Sequence, residues 1–162
     1  MTPERFTVHG RNYQLRRAVS SDVERIVSLL ADDPLRQAEN PAGPEHQGAH
    51  LAAFQTIAAD PAQLLVVVED GAGTVVATMQ LTVIPGLSRL GATRLLIEAV
   101  RVDARLRGAG LGTAMMHWAA EEGRRRGATM IQLTSDKSRD AAHRFYERLG
   151  FKASHVGFKL PL

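Results

Sequence analysis

The chain contains no cysteine. That excludes a disulfide framework, a thiolate nucleophile and a cysteine-ligated zinc site, and it suits a reducing compartment. Nor is there an apolar run near the roughly 20 residues that a membrane-spanning helix needs. The opening stretch MTPERFTVHGRNYQLRRA lacks the apolar core of a secretory signal. A protein that stays out of the membrane, in the cytoplasm, is expected. Neither sign of charge dominates, since 20 Lys and Arg face 17 Asp and Glu for a net charge of +3. Such a balance supports only a weak preference for anionic ligands. Internal repeats and low-complexity linkers are absent as well.

What is present is enough for a core. With 162 residues, 44% hydrophobic and 23% charged, the composition fits a single soluble domain spanning 1–162. Residues 12–19 read as a strand, and Ser21-Asp-Val-Glu24 reads as a capping box before the helical spacing Val23, Ile26, Val27, Leu30. The proline- and glycine-bearing stretch 31–48 reads as a mobile loop, followed by a helix over 50–59. The apolar run 64–69, the turn 70–73 and the β-branched run 74–84 predict a hairpin. Residues 93–102 predict a buried central strand. A helix with Leu111, Ala114, Met115, Trp118 and Ala119 inward follows and ends at Gly127. A strand over 130–134, a helix carrying Ala142, Phe145, Tyr146 and Leu149, and terminal strands within 151–160 complete the pattern. Antiparallel strands first and a β-α-β crossover late predict one mixed α/β sheet with helices on both faces.

Between the central strand and the next helix lies Arg105-Leu-Arg-Gly-Ala-Gly-Leu-Gly112. Glycines allow backbone N–H groups to converge, the helix N-terminus adds partial positive charge, and the arginines add full charges. An anionic, phosphate-bearing ligand is the natural partner, although a tight strand-to-helix connection would use the same residues. The loop lacks the Gly-Lys-Ser/Thr ending of a nucleotide triphosphate loop, so ATP hydrolysis is disfavoured. A dinucleotide fingerprint would need an acidic residue closing the next strand, where Thr134 stands instead.

Arg105-x-x-Gly108-x-Gly110 after Glu98-Ala-Val-Arg-Val102, followed by Ala142-His-Arg-Phe-Tyr-Glu-Arg-Leu-Gly-Phe151, resembles the GCN5-related N-acetyltransferases. The resemblance implies a mostly antiparallel mixed sheet of six to seven strands, with a splayed parallel pair at the cofactor site. It implies acetyl-CoA as co-substrate, no required metal, and a pyrophosphate held by the backbone of Arg107, Gly108, Ala109, Gly110, Leu111, Gly112 and Thr113. Val100, Arg101 and Val102 would present backbone groups to pantetheine and the thioester, with Arg105 and Ser135 completing the cofactor set. The segment from Ser135 to Tyr146, with Ser154-His155, is most similar to the branch containing aminoalkylphosphonate N-acetyltransferases. The chain departs from many members at Arg139, where an asparagine commonly contacts pantetheine.

The resemblance makes Tyr146 the general acid that protonates the departing CoA thiolate; the other reading of the residue is a core aromatic. A phenol with a pKa near 10 is a fitting donor to a thiolate of about 8.5. Glu98, alternating with Val100 and Val102, would share their face and act as general base, directly or through water. Its other reading is a carboxylate paired with an arginine. His143 reads as a surface residue. His46 and His50 have the i, i+4 spacing of metal ligands without further support. Trp118 reads as core, and Arg124-Arg-Arg126 as a solvated cluster opposing the negative end of a helix dipole. No aromatic interleaving points that cluster to nucleic acid.

The sequence therefore predicts transfer of an acetyl group to a primary amine of a small molecule, by direct attack in a ternary complex. The acceptor is expected over residues 31–59 and 85–94, where Arg89 and Arg94 hint at an anionic group on it. A non-catalytic acyl-CoA sensor or interaction module is the alternative. Neither nucleic acid nor membrane is expected as a partner, and a homodimer is left open.

Overall fold

A computed structural model describes residues 1–33 and 41–161. Within the stretch expected as a loop, 34–40 lie outside the described residues. The elements are β1 (Glu4–Val8), β2 (Arg11–Arg17), α1 (Val23–Ala31), α2 (Gln47–Ala59), β3 (Gln63–Asp70), β4 (Val75–Ile84), β5 (Thr93–Val102), α3 (Leu111–Arg125), β6 (Ala128–Leu133) and α4 (Asp140–Arg148). They fall into two compact units, Met1–Gln132 and Leu133–Leu162.

The strands form one sheet in the order β1-β2-β3-β4-β5-β6. β1 to β5 pair antiparallel. β6 is the parallel neighbour of β5, reached through the α3 crossover that parallel pairing requires. The register assigns side chains to faces, because residues paired across strands share one side. Leu64, Val66 and Val68 face Leu81, Met79 and Ala77, and Leu81 continues to Ile97. All six of the first set and Ile97 are at most 2% exposed. On the opposite side, Leu65 and Val67 form a second cluster with Ala18, Val75 and Ile26 and Leu29 of α1, closed over by Phe54 and Ile57 of α2. Helices thus cover both faces.

α3 shows how the sheet is shaped. Arg125 bonds Glu4 of β1 at 3.1 Å, while a Cβ on Gly123 would lie 3.1 Å from Leu95 Cδ2 of β5. The sheet is curled, and α3 meets strands from both of its halves. Leu111, Met115, Trp118 and Ala119 are the helix's buried stripe, with Met116 beside them.

Ion pairs tie α1 and its entry to the sheet. The Arg16 guanidinium donates to both oxygens of Asp22 at 2.7 and 2.9 Å and to Glu69 at 2.6 Å. Asp22 also accepts the Val19 N–H at 2.8 Å, so it serves the helix entry in place of the expected Ser21–Glu24 box. Burial pushes the Asp22 carboxyl up, but the hydrogen bonds from Arg16 and Val19 outweigh it and hold the group below the ordinary carboxylate value.

Two expectations need correction. β1 was not foreseen, because its alternating exposed positions in ERFTV leave it too polar to stand out. The terminal strands expected within 151–160 do not form: 151–161 carries no strand, and Val156, Phe158 and Leu160 are 79%, 93% and 84% exposed. Alternation marks a strand only where a neighbouring strand takes its hydrogen bonds and a face is buried.

Removing Arg16 leaves Asp22 buried without its cation. Arg16→Ala is expected to lower stability by about 3 kcal/mol in urea unfolding at neutral pH. Because the folded Asp22 value lies below the unfolded one, its contribution is present above the unfolded value near 4 and lost as pH falls through the folded one. The gap between wild type and Arg16→Ala should therefore narrow below about pH 4; a constant gap would exclude the pair as its source.

Candidate active site

β5 carries an irregularity at the expected reaction centre. Gln80 of β4 pairs with Glu98 and Thr78 pairs with Arg101, so Ala99 and Val100 together oppose the single residue Met79. Ala99 has φ of +52°. Two residues against one, the first left-handed, is a β-bulge in which glycine would be the usual occupant. The extra residue loses its ladder partner on β4, leaving backbone hydrogen-bonding capacity for another group. No glycine stands at position 99, so nothing in the sequence marked the bulge.

The bulge also resets the alternation. Thr78 and Gln80 share one face of β4, so their partners Arg101 and Glu98 share it too, while Val102 pairs with Ala77 on the other face. Glu98 thus does not share a face with Val102, as simple alternation predicted. It is exposed on the side that carries Gln80, Thr82 and Gln63. There the Gln63 side-chain oxygen accepts from Gln80 at 3.0 Å and from Thr82 at 2.8 Å.

Beyond β5, Asp103 is buried and accepts from Arg105 Nε at 2.9 Å, Arg105 Nη2 at 2.8 Å and Arg25 of α1 at 2.7 Å. Hydrogen bonds from Arg105 hold its carboxyl far below the ordinary carboxylate range, against the opposing effect of burial. Arg105 is therefore neutralised in part by Asp103. Arg107 reaches Asp32 at 3.0 Å, and Arg101 reaches the buried Asp33 at 2.7 Å. Two carboxylates at the C-terminal end of α1 oppose its dipole, so the arginines beside the loop offset that cost.

The loop then presents Gly108 and Gly110 at φ of +78° and +79°. Gly110 is the residue before α3; it offers no capping side chain, and the first turn holds no acid. The leading N–H groups of α3 are left to bind an external acceptor, the condition for an anion site. Arg101, Val102, Arg105, Arg107 and Gly108 to Thr113 thus lie on one continuous stretch of chain, from the end of β5 to the first turn of α3.

The second unit holds Ser135 and Tyr146. Ser135 is half-buried in the segment after β6. Tyr146 of α4 is half-buried, with edge contacts to Phe145 at 5.2 Å and Phe151 at 5.8 Å between ring centroids. His143 bonds the Asp136 carbonyl at 2.9 Å, and the Arg139 N–H donates to that same oxygen at 3.0 Å. Elsewhere, the His46 ring lies 3.5 Å from Glu45, and that of His50 lies 3.3 Å from the Pro41 carbonyl. No group of three or more His, Cys, Asp or Glu able to hold a metal occurs among the described residues. Arg124, Arg125 and Arg126 are all ion-paired, to Glu121, Glu122 and Glu4. No helix among the described residues is long and apolar enough to cross a membrane.

The family model described as "Acetyltransferase (GNAT) family" matches residues 24–151. Aminoalkylphosphonate N-acetyltransferase of Salmonella typhimurium is 43% identical over 66 residues, 41% of this chain and 43% of that protein. Glucosamine 6-phosphate N-acetyltransferase of Trypanosoma brucei brucei is 37% identical over 91 residues, 56% of this chain and 59% of that protein. The matches thus span about half the length of these curated relatives. Among solved structures, a Bacillus halodurans C-125 protein described as a transcriptional regulator is 39% identical, with a TM-score of 0.88 over 93% of this chain and 99% of that one.

The bulge can be tested through its first residue. A β-branched side chain at φ of +52° is severely strained. Ala99→Val should cost about 1–2 kcal/mol in thermal or urea unfolding, whereas Ala99→Gly should leave stability at or above wild type. The reverse order would contradict the left-handed assignment.

Proposed function

We propose, from the premise that this chain belongs to the acetyltransferase (GNAT) family, that it is an acyl-CoA-dependent N-acyltransferase carrying acetyl from acetyl-CoA to a primary amine of a small molecule. The observation that carries the reading is the sequence of features along one stretch of chain: a bulged strand, then left-handed glycines, then a helix whose N-terminus has no cap. The family match runs across both compact units, which supports treating 1–162 as one N-acetyltransferase domain.

In this reading the backbone from Arg107 to Thr113 holds the pyrophosphate, as neutral N–H donors and the dipole of α3 favour. Backbone groups at Val100, Arg101 and Val102 pair with pantetheine and polarise the thioester carbonyl, which gains negative charge as the amine adds. Ser135 and Arg105 complete the cofactor contacts. The neutral amine attacks the carbonyl carbon; the C–N bond forms and the C–S bond breaks. Tyr146 supplies the proton to the leaving sulfur, and Glu98, directly or through water, takes from the substrate ammonium the proton whose loss frees the attacking amine. Exposure of Glu98 beside the bulge supports that role over a buried structural pair. With no cysteine in the chain, a thioester-linked acyl-enzyme is excluded, which supports direct attack in a ternary complex.

The Salmonella relative directs the first choice of acceptor to aminoalkylphosphonates. A second reading has its own observation: the Bacillus halodurans protein is described as a transcriptional regulator. On that reading the chain binds acyl-CoA as a sensor without turning it over.

Release of CoA thiol from acetyl-CoA separates the two, and the absence of cysteine keeps the readout free of protein background. The panel should hold aminoalkylphosphonates, amino sugar phosphates, polyamines, amino acids and peptides. One amine class is expected to turn over, with Tyr146→Phe lowering kcat about 100-fold and leaving acetyl-CoA affinity nearly unchanged. Glu98→Gln should lower kcat most at low pH, where the free amine is scarce. Heat protection by acetyl-CoA with no turnover of any amine would favour the sensor.

A further inference from the structure

The tip of the β1–β2 hairpin sits against the start of α3. A Cβ placed on Gly110 would lie 3.3 Å from His9 Nε2 and 3.2 Å from Val8 Cγ1. Gly110 is the N-cap, the place where a serine or aspartate would normally satisfy the first N–H groups from its own side chain. Here the cap has no side chain, and an imidazole from another element stands beside the vacated position. His9 is exposed, and it makes no hydrogen bond or ion pair among the described residues.

The turn itself gives an independent reason to ask what His9 does. His9 and Gly10 have φ of +47° and +76°, the two-residue turn with both centres left-handed. Asparagine is the favoured first residue of such a turn, and a bulkier side chain there accepts a backbone cost. A histidine in that seat gives up local stability while keeping a ring nitrogen next to an uncapped helix end. An acid or hydroxyl at the same place would compete with a phosphate for the N–H groups, whereas an imidazole N–H adds a donor to them.

We infer that His9 is a binding residue for the acyl-CoA, donating a ring N–H to the pyrophosphate held at the N-terminus of α3. The inference rests on the reading of the glycine loop as the pyrophosphate site. It assigns to the N-terminal hairpin, outside the matched family region that begins at residue 24, a share in holding the cofactor. It also gives Gly110 a second reason to lack a side chain: a Cβ there would press on the Val8 and His9 side chains as well as strain the backbone.

The test compares wild type with His9→Asn, which retains the turn preference while shortening the reach, and with His9→Lys, which restores a donor. Calorimetric affinities are measured for CoA, 3′-dephospho-CoA and S-acetylpantetheine, the last lacking the pyrophosphate. His9→Asn should weaken CoA and 3′-dephospho-CoA equally, by about tenfold, and leave S-acetylpantetheine unchanged. His9→Lys should recover part of the loss. In turnover, His9→Asn should raise KM for acetyl-CoA without lowering kcat. If His9→Asn binds CoA as wild type does, the inference fails while the glycine-loop reading stands. Equal weakening of S-acetylpantetheine would make His9 a packing residue and overturn the inference. If wild type binds no CoA, the glycine-loop reading fails and the inference falls with it.

Discussion

The site depends on the inability of β5 to pair continuously with β4. A regular antiparallel ladder would use every backbone group that β5 points at β4 and leave none of them for a ligand. One left-handed residue, Ala99, inserts an extra position opposite Met79 and breaks that ladder in the middle of the sheet. The break has three effects: it leaves backbone groups without a β4 partner, it puts Glu98 and Arg101 on one face, and it sends Val102 to the other. The strain of a non-glycine left-handed residue is held by the surroundings, since Leu95, Ile97 and Met79 are fully buried on the α3 side.

Two further constraints place the proposed anion site at the end of that strand. The curl of the sheet clasps α3 between β1 and β5, which fixes where its N-terminus lies. The ion pairs Arg25–Asp103, Arg101–Asp33 and Arg107–Asp32 then run from α1 to the end of β5 and its loop. Of these, Arg107–Asp32 is exposed on both sides and adds little to stability, so Arg107 can exchange a carboxylate for a phosphate at small cost. The buried acids are different. Asp33 and Asp103 need their arginines, because losing either cation would leave an uncompensated buried charge.

Much of this was legible in the sequence, for identifiable reasons. An apolar run gave β3, a β-branched run gave β4 and the apolar positions Leu95, Ile97, Val100 and Val102 gave β5; the 3.6-residue spacing gave α1 and α3, and the glycines of 108–112 announced a loop poised before a helix. The face of Glu98 was misassigned because alternation assumes a regular strand, and Ala99 carries no signal of a bulge. β1 escaped notice as a polar edge strand. The alternation of Val156, Phe158 and Leu160 was legible but misleading, because pairing depends on a partner strand that a local pattern cannot supply. The ion pairs from α1 to β5 and its loop join residues far apart in the chain and leave no local trace.

One continuous stretch, from the bulge through the first turn of α3, is the proposed binding site of acetyl-CoA, held by its backbone. Amide ¹H–¹⁵N shifts of the labelled protein test it directly. Titration with acetyl-CoA should move the amides of 99–102 together with those of 108–113, and 3′,5′-ADP should leave the 99–102 group in place. If acetyl-CoA binds while the amides of both groups stay where they are, the cofactor lies elsewhere and this stretch does not hold it.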